Sequence, residues 1–196
     1  MTAMAADWYD AVLDGSRAMA PLEESSALPL YEAAAKFVPN LPVVDLGCGA
    51  GRFAKLLERD GHLSYHRYYG YDFAPAVVAE AERYCDTPNV SFEVSDLRVW
   101  QHGPDLPDEC CYVLLEVLEH LDDDRDLLAR LAPGQPVVFS VPNFWSESHV
   151  RRFLQPATVF ARYGDLLEFS AWQAVSFPTP GRRIHVFQAT TRAERL

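Results

Sequence analysis

Val43-Val-Asp45-Leu-Gly47-Cys48-Gly49-Ala-Gly51 is the stretch on which the fold turns. A short apolar run feeds into three glycines at alternate positions. Arg52–Asp60 then has the spacing of an amphipathic helix that Gly61 ends. Strand, tight turn and helix together make the opening unit of a β-α sheet. Glycine suits such a turn because the backbone must bend sharply and approach a ligand with no Cβ in the way. Two phosphate-binding patterns are excluded. G-x-G-x-x-G would place its third glycine at position 52, which is Arg52, and G-x-x-x-x-G-K-[ST] is absent. Asp45, two residues before the first glycine, opposes a pyrophosphate and favours a cationic ligand.

Outward from this unit the alternation repeats. Arg67–Tyr71, Val90–Val94, Cys110–Val117 and Pro136–Val141 read as strands, and Pro75–Tyr84, Leu121–Leu131 and Thr158–Tyr163 as helices. Leu166–Val175 and Arg183–Ala189 read as a closing pair of strands. The expected fold is α/β: a three-layer, doubly wound, mostly parallel seven-stranded sheet with an antiparallel last strand. Residues 1–41 read as a helical N-terminal lid over a domain spanning 42–196. In the lid, Trp8, Tyr9, Val12 and Leu13 recur at helical spacing, and Tyr31–Val38 lies between Pro29 and Pro39. Trp8, Tyr9 and Tyr31 suit either a cover for the site or plain core packing, with equal weight.

Composition narrows the class. With 49% apolar residues in 196, one hydrophobic core is expected. No apolar run is long enough to span a bilayer, and Met1–Asp10 lacks the pattern of a secretory leader, so a cytoplasmic protein is expected. Cys48, Cys85, Cys110 and Cys111 form no C-x-x-C pair, and the last two read as small buried hydrophobes. The net charge is −11, yet residues 149–196 carry 7 basic and 3 acidic groups. The acidic body argues against general nucleic-acid binding, and the basic end pairs with it electrostatically.

Polar groups stand at each strand exit. Gly70-Tyr-Asp72-Phe73 offers a carboxylate to the two hydroxyls of a ribose. Ser95-Asp96-Leu97 offers a carboxylate to an exocyclic amine and a backbone N–H to a ring nitrogen, and Glu116 closes the next strand. In this order and spacing, Val43–Gly51, Gly70–Phe73, Ser95–Leu97 and Cys110–His120 resemble the motifs of class I S-adenosylmethionine-dependent methyltransferases. The closest likeness in motif is to the small-molecule enzymes of the ubiquinone-biosynthesis type. The resemblance implies S-adenosyl-L-methionine as cofactor, held by Asp45, Gly47, Cys48, Gly49, Gly51, Asp72, Phe73, Asp96, Leu97 and Glu116. It implies methyl transfer to an O or N atom of a small-molecule acceptor by a monomer or homodimer, with no membrane or nucleic-acid partner.

Glu116-Val-Leu-Glu119-His120 follows the fourth strand and His149 follows the fifth. If helical from Glu116, the first three side chains share one face. His120 and His149 are the expected catalytic bases. Glu116, Glu119, His120 and His149 together are a possible, less favoured, divalent-metal set. The same E-x-x-E-H stretch resembles the metal-dependent small-RNA ribose 2′-O-methyltransferases, which makes such an activity the alternative. His62, His66, His102 and His185 read as surface or strand residues.

Overall fold

The structure, a computed structural model, describes residues 21–177 and 179–193. Trp8, Tyr9, Val12 and Leu13, and so most of the expected lid, lie outside the described residues. Seven strands form one sheet: β1 (Val43–Leu46), β2 (Tyr68–Asp72), β3 (Val90–Val94), β4 (Cys111–Leu114), β5 (Pro136–Pro142), β6 (Leu167–Ser176) and β7 (Arg183–Thr191). Their order is β3-β2-β1-β4-β5-β7-β6. β1 runs parallel to both β2 and β4, and β7 alone is antiparallel to its neighbours. The strand order reverses between β1 and β4, which opens a crevice beyond their carboxyl ends.

The helices are α1 (Leu28–Ala35), α2 (Arg52–Arg59), α3 (Pro75–Tyr84), α4 (Asp124–Arg130) and α5 (Pro156–Tyr163). All four residues of β1 are buried, as a strand covered on both faces must be. On one face Val44, Leu46, Leu114 and Phe139 pack with Leu127, Leu128, Val159 and Tyr163 from α4 and α5. On the other Val43, Val113, Val138 and Val186 pack with Leu30, Ala34, Phe53 and Leu56 from α1 and α2. The three layers follow from this alternation of side chains along each strand.

Two boundaries differ from expectation for physical reasons. α1 starts at Leu28, so Pro29 lies inside its first turn, where a missing N–H costs nothing. Tyr31 on this helix packs against Phe53 with ring centroids 6.0 Å apart, which is core packing. β4 ends at Leu114 and not at Val117, because Glu116 has φ 57° and cannot continue a ladder.

Gly70 in β2 is closely packed beneath the crevice. A Cβ there would lie 2.5 Å from Phe92 Cδ1 and 3.0 Å from Cys48 Sγ. Gly70→Ala is expected to destabilise the protein by about 1–3 kcal/mol, read as a lower urea midpoint at unchanged slope. An unchanged midpoint would contradict this packing.

Candidate active site

The exit of β1 is tied to the exit of β2. The N–H groups of Gly47 and Cys48 both donate to the carbonyl of Tyr71, at 2.7 and 3.0 Å. The chain then turns through Gly47, Gly49 and Gly51, with φ of 91°, 52° and 75°. Only glycine adopts a run of such values cheaply. The three glycines do different work. A Cβ at Gly47 would lie 2.4 Å from Val117 Cγ2, and one at Gly51 would press on Phe92 and Ala81. A Cβ at Gly49 would meet nothing within 4 Å, so this residue presents bare backbone to open space.

Asp72 lies against that backbone. Its Oδ2 accepts the N–H of Gly49 at 3.0 Å and its Oδ1 accepts the N–H of Ala74 at 3.1 Å. Phe73, beside it, is part-buried. Cys48 is buried, and its thiol donates to Gly49 O at 3.5 Å. Asp45 sits under the loop, accepting the Tyr68 hydroxyl at Oδ2, while its buried Oδ1 has no hydrogen-bond partner among the described residues. Burial pushes the Asp45 carboxyl up to about 7, the Tyr68 hydroxyl pulls it back in part, and Asp72 adds to the rise. Further along, Asp96 is partly exposed and forms a fork with Arg98, Nε to Oδ1 at 2.9 Å and Nη2 to Oδ2 at 2.5 Å. Its hydrogen bonds to Arg98 hold its carboxyl below the usual range. Leu97, next to it, is buried in the core.

The second cluster forms without the helix expected from Glu116. Glu116 takes a left-handed backbone, and a single 3-10 turn, Leu118–His120, follows. Ser140 on β5 clamps Glu116, accepting its N–H at 2.8 Å and donating to its Oε1 at 3.0 Å. Burial pushes this carboxyl up to about 7, and Ser140 offsets part of the rise. Glu119 is fully buried, and neither carboxylate oxygen has a hydrogen-bond partner among the described residues. Burial and the neighbouring Glu116 raise it well above the usual carboxylate range.

His120 and His149 meet edge to face, with ring centroids 4.9 Å apart. Nδ1 of His120 is 3.2 Å from Ser148 O, and Nδ1 of His149 is 3.2 Å from Phe144 O. A carbonyl only accepts, so each Nδ1 carries the proton and each Nε2 is left with a lone pair. Burial, then His149, pushes His120 down to about 4; burial also lowers His149. One ligand-type atom from each of Glu119, His120 and His149 lies within 4.8 Å of the others. The fourth residue of the expected metal set, Glu116, is not in this trio and is held by Ser140.

Tyr68, Ser140 and Asp124 carry no signal of a site role in the sequence, though Tyr68 and Ser140 bond the site carboxylates Asp45 and Glu116 and Asp124 anchors Arg151. A tyrosine or serine inside a strand carries no local signal of its partner on another strand. His62 and His66 contact Leu41 and Asn40, His102 contacts Tyr112, and buried His185 lies on β7. All four free cysteines are buried. No helix among the described residues is long and apolar enough to cross a membrane.

Residues 43–133 match a methyltransferase domain. The trans-aconitate 2-methyltransferase of Mycobacterium tuberculosis is 30% identical over 168 residues, covering 76% of this chain and 59% of that protein. The chain thus spans between half and three-fifths of the curated relatives it matches. A Haloferax volcanii methyltransferase solved with the Trm112 methyltransferase activator superposes with TM-score 0.70 at 22% identity, covering 94% of this chain and 97% of that one. The N-methyltransferase NodS of Bradyrhizobium japonicum, solved with S-adenosyl-L-homocysteine, gives TM-score 0.63 at 20% identity, covering 96% and 93%. These likenesses establish the fold.

Asp45 has a thermodynamic signature. Its folded carboxyl ionises near 7 and its unfolded one at about 3.9. Between those values the native state binds more protons, so this residue's contribution to stability falls as pH rises. The lowered histidines act in the opposite sense, so the effect is read as a difference between proteins. The melting temperature of Asp45→Asn minus that of wild type is expected to climb from pH 4 to pH 7 and then level. A pH-independent difference would contradict the buried, half-partnered carboxyl.

Proposed function

We propose, from the premise that residues 43–133 form a methyltransferase domain of the class I, S-adenosylmethionine-dependent superfamily, that this chain transfers the sulfonium methyl to an O or N atom of a small-molecule acceptor. The observation that carries the reading is the open backbone at Gly49 beside Asp72. A ligand can lie on that backbone and reach the carboxylate with its hydroxyls. A cation on the loop would favour the ionised form of the buried, half-partnered Asp45 below it and a phosphate would oppose that form, which supports a cationic ligand.

Asp72 would hold the ribose of the cofactor, Asp96 and Leu97 its adenine, and the loop from Gly47 to Gly51 its methionine portion. When bound, S-adenosylmethionine supplies a methyl on an already activated leaving group. The chain then has three tasks: to hold an acceptor lone pair in line, to exclude water and to take a proton. The unprotonated Nε2 of His120 or His149 is the natural proton acceptor. The proton that the acceptor oxygen or nitrogen loses on methylation would pass to that nitrogen.

Phe144 lies 6.0 Å from His149 between ring centroids, and Arg182 sits over Phe144 at 4.9 Å. Arg152 sits over exposed Trp145 at 5.5 Å. Guanidinium groups on aromatic faces suit an anionic acceptor, and the curated relatives are named for trans-aconitate, a carboxylate. With net charge −11, a nucleic-acid acceptor is disfavoured. A monomer or homodimer in the cytoplasm fits this reading.

A second reading rests on one observation: a fully buried Glu119, both oxygens without a hydrogen-bond partner among the described residues, with a ligand-type atom of His120 and of His149 close by. A buried carboxylate is costly unless neutralised or paired. A divalent cation on Glu119, His120 and His149 would satisfy it and lower the pKa of an acceptor hydroxyl.

In calorimetry, S-adenosylmethionine and S-adenosylhomocysteine are expected to bind and NAD is not. Asp72→Ala is expected to weaken binding by about 1–3 kcal/mol through lost charge-assisted hydrogen bonds. Tight NAD binding without S-adenosylmethionine binding would overturn the cofactor assignment. Chelation separates the two readings of the histidines. With metal-free bases, EDTA leaves turnover intact and His120→Ala or His149→Ala lowers it about 10²–10⁴-fold. Loss of turnover in EDTA, restored by a divalent ion, would favour the metal.

A further inference from the structure

His120 and His149 come from different connections. His120 ends the 3-10 turn after β4, and His149 lies between β5 and α5. Neither connection is long enough in regular structure to fix the other. A three-residue 3-10 turn also leaves its own carbonyls without helical donors.

Arg151 supplies a donor to the first of these carbonyls and to two that follow the turn. Its Nη1 donates to Leu118 O at 2.5 Å and to Leu121 O, and its Nη2 donates to Asp122 O at 3.1 Å. These carbonyls flank His120 on both sides. Nη1 also lies 3.3 Å from Asp124 Oδ2. Next to it, Val150 N–H donates to Glu119 O at 2.8 Å. The segment carrying His149 is thus stitched to the segment carrying Glu119 and His120 through two successive residues.

The anchor is itself fixed. Asp124 is fully buried and accepts from Arg162 at 2.8 and 2.6 Å and from the Tyr163 hydroxyl at 2.5 Å. α5 therefore holds the carboxylate against which Arg151 rests. A guanidinium carries five donors in a rigid planar fork, while an ammonium offers one point with three. Lysine can replace part of this arrangement and not all of it.

We propose that Arg151, anchored by Asp124, is a positioning residue that sets the separation and relative orientation of His120 and His149. It rests on the methyl-transfer reading for its catalytic consequence, and on geometry alone for its structural one. Arg151 acts through the backbone of the turn and is not itself a proton acceptor. A misplacement of about 1 Å is enough to cost on the order of 10²-fold in rate.

The test uses the full chain, with Arg151→Met and Arg151→Lys. Two-dimensional NMR reads the imidazole C–H signals, assigned with His120→Ala and His149→Ala. In wild type the edge-to-face pair gives a cross-ring NOE. In Arg151→Met that NOE is expected to vanish while S-adenosylhomocysteine affinity stays within about twofold, and Arg151→Lys should restore it in part. With an active acceptor, kcat should fall about 10²-fold in Arg151→Met at unchanged KM for S-adenosylmethionine. If Arg151→Met does not fold, Arg151→Lys and Asp124→Asn carry the decision, and both should weaken the NOE. An unchanged NOE and unchanged kcat in folded variants would overturn the proposal. Failure of wild type to bind S-adenosylmethionine or its product would overturn the functional reading and leave the NOE result to judge the positioning role.

Discussion

The glycine turn beside the crevice starts from one carbonyl. Tyr71 O, at the end of β2, accepts the N–H groups of both Gly47 and Cys48. A parallel pair has no hairpin to join its ends, so some contact must stop β1 and β2 at the same height. Here it is this double acceptance, and it starts the turn through positive φ that the glycines allow. Gly49 N–H is then directed at Asp72, and Gly51 leads into α2. The open backbone, the carboxylate beside it and the helix behind it all descend from that one junction.

The second organising constraint is electrostatic. Asp45, Asp72, Glu116 and Glu119 gather near the carboxyl ends of β1, β2 and β4 in a chain of net charge −11. Burying such groups costs free energy unless each is neutralised, bonded or paired. The structure does this unevenly. Asp72 is bonded to backbone, Glu116 to Ser140, Asp45 to Tyr68 by one oxygen only, and Glu119 to nothing among the described residues. Buried polar atoms left without a partner are what a candidate functional site presents. On the function proposed above, the remaining polar capacity would serve a cationic ligand near Asp45 and proton or metal chemistry near Glu119.

Much of this was legible in the sequence because it is local. The strand, three glycines and helix at Val43–Arg59 form as read, and so do the order of elements and the antiparallel β7. Acids at strand exits were legible because the β-α repeat places strand ends at known intervals. The geometry after β4 was not. Glu116, Glu119 and His120 fit a helical spacing, yet Glu116 adopts φ 57° and the cluster forms through a single 3-10 turn. What decides the backbone there is Ser140, 24 residues away, clamping Glu116 from the neighbouring strand. Arg151 likewise acts across a long sequence separation, on carbonyls that any residue could supply. Contacts of side chain to distant backbone leave no periodicity to read. Tyr31, read from sequence as either lid or core, is part-buried and packs against Phe53.

The central claim is that the glycine turn and Asp72 seat the cofactor. A crystal structure grown with S-adenosylhomocysteine tests it most directly. The account predicts the ligand laid along Gly49, with both ribose hydroxyls within about 3 Å of the Asp72 carboxylate. A ligand bound elsewhere on the sheet, with no ligand hydroxyl at the Asp72 carboxylate that accepts from Gly49 and Ala74, would contradict it.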